Sequence, residues 1–156
     1  MAKTVAEAMS RAPITVHPET SITEVIKILA DKRISGLPVL DDDQHLIGII
    51  SETDLMWRET DVTPPAYIML LDSVIYLENP GRYEKELHKA LGQTVGEVMS
   101  AVPVTTTTPE TPLSKAAKLM HDRKVHRLPV IDQSGHLVGI LTRGDIIRTM
   151  AAEQTE

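Results

Sequence analysis

Two short stretches combine residue types that suit an anion beside a hydroxyl-bearing ligand: Ser51-Glu-Thr-Asp54 and Thr142-Arg-Gly-Asp145. Each follows an apolar β-rich run and opens a helical pattern, so each places a hydroxyl and a carboxylate at a strand-to-helix junction. A helix N-terminus presents N–H groups without intrahelical partners and a partial positive charge, which suits a phosphate. A Ser or Thr hydroxyl there adds a donor, and a carboxylate three residues on can accept from two neighbouring hydroxyls at once. The same spacing also describes a capping box, in which both side chains serve the helix itself. Val125-His126-Arg127-Leu128-Pro129 is a second signal. Its Arg supplies planar donors matched to phosphate oxygens, or it complements a helix C-terminus together with Arg123 and Lys124.

Other chemistries find no support. The chain has no Cys, which excludes disulfides, thiol catalysis and thiolate metal sites. It has no phosphate loop, no dinucleotide fingerprint, no Gly-x-Ser-x-Gly elbow and no His-Glu-x-x-His pair. Asp41-Asp42-Asp43 lacks the alternation and Gly of a calcium loop and reads as a solvated turn. His45 and His136 sit at matching turn exits, which favours a structural role. No catalytic residue, metal ligand set or cofactor is therefore expected.

The elements that position these groups come in duplicate. Val5-Ala-Glu-Ala-Met9-Ser10 recurs as Val95-Gly-Glu-Val-Met99-Ser100, and Pro13-Ile-Thr15 as Pro103-Val-Thr105. Beyond one extra Thr, Pro18-Glu-Thr matches Pro109-Glu-Thr and Leu37-Pro-Val matches Leu128-Pro-Val. His45-Leu-Ile-Gly48 matches His136-Leu-Val-Gly139. Such self-similarity marks two copies of one structural unit. Each copy predicts a short helix (4–9; 94–99), then an extended segment (14–16; 104–106). An amphipathic helix follows, carrying Ile22, Val25, Ile26 and Leu29, or Leu113, Ala116, Ala117 and Met120. Ser21 and Ser114 are its capping candidates. Two β-rich runs (37–40 and 46–51; 128–131 and 137–142) lead to a final helix beginning near Thr53 or Gly144. A single copy would bury too little surface to be stable alone.

Leu37-Pro-Val-Leu-Asp41 with Leu46-Ile-Gly-Ile-Ile-Ser51-Glu-Thr-Asp54, and Leu128-Pro-Val-Ile-Asp132 with Leu137-Val-Gly-Ile-Leu-Thr142-Arg-Gly-Asp145, resemble the hallmarks of the CBS domain. The resemblance implies an α/β (α+β) fold of two pseudo-symmetric repeats, each helix-strand-helix-strand-strand-helix, packed through their small sheets as a Bateman module. The implied domains are 1–58 and 94–156, with 59–93 as a helical insertion. Modules of this kind bind adenosine-containing ligands and dimerise. The resemblance implies that Asp145 and Asp54 hold ribose. It implies that Thr142, Ser51, His126, Arg127 and Arg143 hold phosphate, and that Thr15, Thr105, Pro38 and Pro129 contact adenine. Strand propensity equally accounts for the two Thr residues, and strand starts for the two Pro residues. Copy one has Ser35, Gly36 and Glu52 where copy two has His126, Arg127 and Arg143, so the site of Asp145 is expected to be the better anion site. The expected function is regulatory: binding of AMP first, then ADP or ATP. S-adenosylmethionine or NAD in the same clefts, or a dimerisation module without nucleotide, are the alternatives.

Composition sets the remaining limits. A net charge of −6 disfavours nucleic acid as a partner. The longest apolar run, Ala66 to Leu71, falls far short of the ~20 residues needed to span a membrane. Met1 to Met9 lacks an apolar leader core, so a cytoplasmic location is expected. In the insertion, Thr63-Pro-Pro65 predicts a helix start, with Tyr67, Leu70, Leu71 and Val74 on one face and Asn79-Pro-Gly81 as the stop. Tyr83, Leu87 and Leu91 mark a second helix. Those apolar faces are candidates for homodimer contacts or for docking a protein partner.

Overall fold

A computed structural model describes residues 3–56, 67–70, 73–76, 92–101 and 103–154. The first repeat gives α1 (Val5–Ala8), β1 (Ser10–Arg11), α2 (Ile22–Lys32), β2 (Gly36–Leu40), β3 (Leu46–Ser51) and α3 (Glu52–Leu55). In the insertion, β4 (Tyr67–Leu70) pairs with β5 (Ser73–Tyr76). The second repeat gives α4 (Val95–Val98), β6 (Ser100–Ala101), α5 (Leu113–Arg123), β7 (Arg127–Ile131), β8 (Leu137–Thr142) and α6 (Arg143–Gln154).

The chain divides into two compact units, residues 1–15, 40–47 and 102–156 in one, 16–39 and 48–101 in the other. Each unit therefore takes its opening elements from the opposite repeat. In the first, β1 lies antiparallel to β8, with Ser10 opposite Ile140 and Arg11 opposite Gly139, in a sheet ordered β1-β8-β7. In the second, β6 lies against β3, with Gly48 opposite Ala101, in a sheet ordered β2-β3-β6.

The exchange follows from the shortness of α1 and α4. A four-residue helix cannot satisfy its own first N–H groups. Val5 and Ala6 donate instead to the carbonyls of Thr111 and Pro109, at 2.9 and 3.0 Å. Val95 and Gly96 donate to Thr20 and Pro18, both at 2.9 Å. The repeated Pro-Glu-Thr is thus an acceptor loop for the short helix of the other repeat. The bonds run both ways, since Leu113 donates to Lys3 O and Ile22 to Gln93 O.

The amphipathic pattern reads through to the cores. Val5, Met9, Leu113, Ala116, Met120, Leu128, Val130 and Leu141 form one buried cluster. Val16, Ile22, Val25, Leu29, Leu37, Val39, Ile50, Val95 and Val98 are buried in the other unit. Ile26, expected on the apolar face of α2, is 45% exposed. Arg33 and Lys124 close α2 and α5 in the left-handed region, at φ 54° and 55°.

Several expectations are corrected. The extended segments 14–16 and 104–106 reduce to single parallel bridges, Val16 to Val39 and Thr107 to Val130. The strands lie earlier, at Ser10–Arg11 and Ser100–Ala101, where carbonyls of the opposite repeat's sheet offer partners. Ser21 caps α2 by accepting from Glu24 N at 3.2 Å. Ser114 does not cap α5, because that helix already starts after Pro112. The helix expected through Tyr67 to Val74 is a β-hairpin, with Tyr67 opposite Tyr76 and Ile68 opposite Ile75. Five of its eight strand residues, Tyr67, Ile68, Val74, Ile75 and Tyr76, are aromatic or β-branched. The two prolyl signals and the second helix at Tyr83, Leu87 and Leu91 lie outside the described residues.

The close passage of β1 over β8 explains the Gly of Leu-apolar-Gly. A Cβ on Gly139 would lie 2.6 Å from Met9 Sδ and 2.9 Å from Ser10 O. Gly139→Ala should therefore cost about 1–3 kcal/mol in urea unfolding, as overpacking does. Gly144→Ala, whose methyl would meet only the end of Arg148 at 3.2 Å and the Thr142 hydroxyl, should shift the midpoint much less.

Candidate functional site

Each strand-to-helix junction buries its carboxylate. Asp54 is 6% exposed and Asp145 4%. In the first, Asp54 Oδ2 accepts from Ser51 N at 3.0 Å and from Ser51 Oγ at 3.5 Å. In the second, Asp145 Oδ2 accepts from Thr142 N at 2.9 Å, and Asp145 N donates back to Thr142 Oγ1 at 3.2 Å. Both are capping boxes, so the helix-capping reading of Ser/Thr-x-x-Asp is realised. It leaves chemistry available, because a carboxylate has about four acceptor positions and the cap uses one oxygen.

The other oxygen has different company in the two places. Asp54 Oδ1 accepts from Ser100 Oγ at 3.2 Å. Asp145 Oδ1 accepts from Arg148 Nη2, one turn along α6. Sequence reasoning singled out neither partner. The Asp145–Arg148 pair was legible as an i, i+3 charge pair on a helix. Ser100 is 46 residues from Asp54, and no sequence signal links them.

Around Thr142 the structure gathers most of the expected phosphate residues. Arg127 lies opposite Thr142 in the β7–β8 register. Arg143 N donates to His126 O at 3.3 Å. His126 and Arg143 are exposed, and Arg127 and Thr142 half-buried. The first-repeat junction has the same backbone link, Glu52 N to Ser35 O at 3.0 Å, but places an acid where Arg143 stands. Pro38 and Pro129 are buried third residues of β2 and β7, not strand starts. Their carbonyls accept from Val16 N and Thr107 N, at 3.1 and 3.0 Å. Thr15 and Thr105, both half-buried, precede those donors in sequence. A cavity of about 250 Å³ lies beside Asp145, lined also by Lys3, Glu7 and Arg148.

Asp41, Asp43 and His45 bring three potential metal-ligand atoms within 4.8 Å of one another. Asp41 Oδ1, however, accepts from the backbone N–H groups of Asp43 and His45, both at 2.9 Å. Asp132 does the same for Ser134 and His136 without a second acid, so the motif builds the hairpin turn. Among the described residues, no helix is long and apolar enough to cross a membrane.

The sequence profile of the CBS domain matches residues 5–59 and 95–152. The chain therefore belongs to the CBS-domain family, as a tandem pair. It is 34% identical over 142 residues to the CBS domain-containing protein CBSX2, chloroplastic, of Arabidopsis thaliana, covering 85% of this chain. It spans 56% of that relative's length, a little over half. The crystal structure of CBSX2 in complex with AMP superposes with a TM-score of 0.80 at 30% identity, over 97% of this chain and 98% of that one. The CBS domain pair of protein MJ0100, in complex with 5′-methylthioadenosine and S-adenosyl-L-methionine, gives 0.71 at 27% identity, over 98% and 99%.

The turn motif carries a pH signature. The backbone N–H of His45 first, with that of Asp43 and the His45 ring adding to it, holds the Asp41 carboxyl below its ordinary value near 3.8. A folded value below the unfolded one means stability that is present above the unfolded value and lost as pH falls through the folded one. Asp41→Ala should lower the urea midpoint at neutral pH, and the gap to wild type should close in strongly acid solution.

Proposed function

We propose that this chain is a non-enzymatic regulatory module that binds an adenine nucleotide, with AMP preferred, and transmits binding through a partner or a change in assembly. The observation that carries the proposal is the duplicated Ser/Thr-x-x-Asp junction, with Asp54 and Asp145 buried at helix starts, in a fold whose relative CBSX2 crystallised with AMP. In this reading residues 1–58 and 94–156 are the two domains, joined by 59–93. Asp145 and Asp54 hold the ribose hydroxyls. Thr142, Ser51, His126, Arg127 and Arg143 hold phosphate, and Thr15, Thr105, Pro38 and Pro129 flank the base. The cation set around Thr142 makes the second-repeat site the stronger one. The MJ0100 complexes favour one alternative ligand class, S-adenosylmethionine and its thioether product, which present the same ribose but no phosphate. A cytoplasmic location belongs to the same proposal.

A thermal-shift panel of adenosine compounds tests it. AMP should stabilise the fold by about 2.7 kcal/mol at a hundredfold excess over Kd, and guanine nucleotides by less. Asp145→Ala should weaken AMP by at least about tenfold, more than Asp54→Ala does. No shift with any adenosine compound at millimolar concentration would sink the reading.

Homodimerisation is the second part. Its support is the apolar surface left exposed on each unit: Ile26 and Met56 on one, Ile147 and Met150 on the other, with Ile147 61% and Met56 62% accessible. Light scattering at micromolar concentration should give the mass of a dimer, and a monomer would contradict it.

A further inference from the structure

The two buried carboxylates differ in one respect that the repeat does not predict. Asp54 Oδ1 is held by a neutral hydroxyl, that of Ser100, and Asp145 Oδ1 by the guanidinium of Arg148. The matching position in the first repeat is Trp57, which carries no charge. The Arg148 side chain is 71% exposed, whereas its carboxylate partner is 5% exposed. Arg148 thus joins the buried carboxylate to the surface and lines the cavity beside it. The guanidinium end of the pair stands largely in solvent, where a second anion can reach it.

A ribose hydroxyl that takes Asp145 Oδ1 competes there with the Arg148 guanidinium. A nucleoside leaves that guanidinium to water. A nucleoside phosphate offers it a second anion, and a planar fork on a long side chain is suited to accept the exchange. Resting on the nucleotide reading above, we infer that Arg148 is a specificity-determining residue of the second-repeat site: it covers Asp145 until ribose takes the carboxylate, then pairs with the ligand's phosphate. The Asp145 site discriminates nucleotides from nucleosides by this exchange.

Calorimetric titration of the full chain with AMP and with adenosine tests this, comparing wild type with Arg148→Gln. Adenosine should bind more tightly to the variant, because its competitor is gone. AMP should bind about tenfold more weakly, the loss expected for one charge-assisted contact. The ratio of the two affinities should therefore fall by more than about tenfold, and Arg148→Lys should restore part of it. If the wild type binds both ligands and Arg148→Gln leaves their ratio unchanged, the inference is overturned while the nucleotide reading stands. If the wild type binds neither ligand, that reading fails and this inference with it.

Discussion

The fold depends on how two four-residue helices find partners for their first N–H groups. Neither α1 nor α4 is long enough to hold itself together, and each is closed by carbonyls of the other repeat's Pro-Glu-Thr loop. That bond set carries Met9 and Ser10 across β8, and Met99 and Ser100 across β3. Each strand must then present a residue without a side chain, which is why Gly139 and Gly48 stand where they do. The exchange also delivers Ser100 to Asp54, so the first-repeat junction is completed by a residue of the second repeat.

The two junctions show how one motif can serve structure and ligand together. Capping consumes the backbone-facing oxygen of each Asp and fixes its side chain in place. A carboxylate so fixed is preorganised for any ligand that approaches its remaining acceptor positions. In the nucleotide-binding reading, capping and binding are successive uses of one orientation. The asymmetry between the repeats lies in the surrounding charge: Arg127, Arg143 and Arg148 accompany Asp145, whereas Gly36, Glu52 and Trp57 stand in the corresponding sequence positions near Asp54.

The insertion shows where periodicity misleads. Over Tyr67 to Val74 nearly every residue is apolar, so a helical face and a pleated strand can both be drawn through it. Pairing decides: the Tyr67–Leu70 and Ser73–Tyr76 runs are short, rich in β-favouring residues and separated by two residues, which closes a local ladder at little entropic cost.

By itself the sequence determined the duplication, the element order within each repeat, the apolar faces of α2 and α5 and the positions of Asp54 and Asp145. All of these rest on local periodicity or on the repetition of short motifs, which a linear chain displays directly. Tertiary structure decided which repeat supplies α1 and α4 to each unit, which residue meets the second oxygen of Asp54, and that the Leu-apolar-Gly glycine is a point of backbone passage. Those facts depend on hydrogen bonds between residues far apart in sequence, such as Val5 with Thr111 and Ser100 with Asp54. No spacing rule encodes such partners, because a donor left unsatisfied by its own helix donates to whichever carbonyl the folded chain brings within reach.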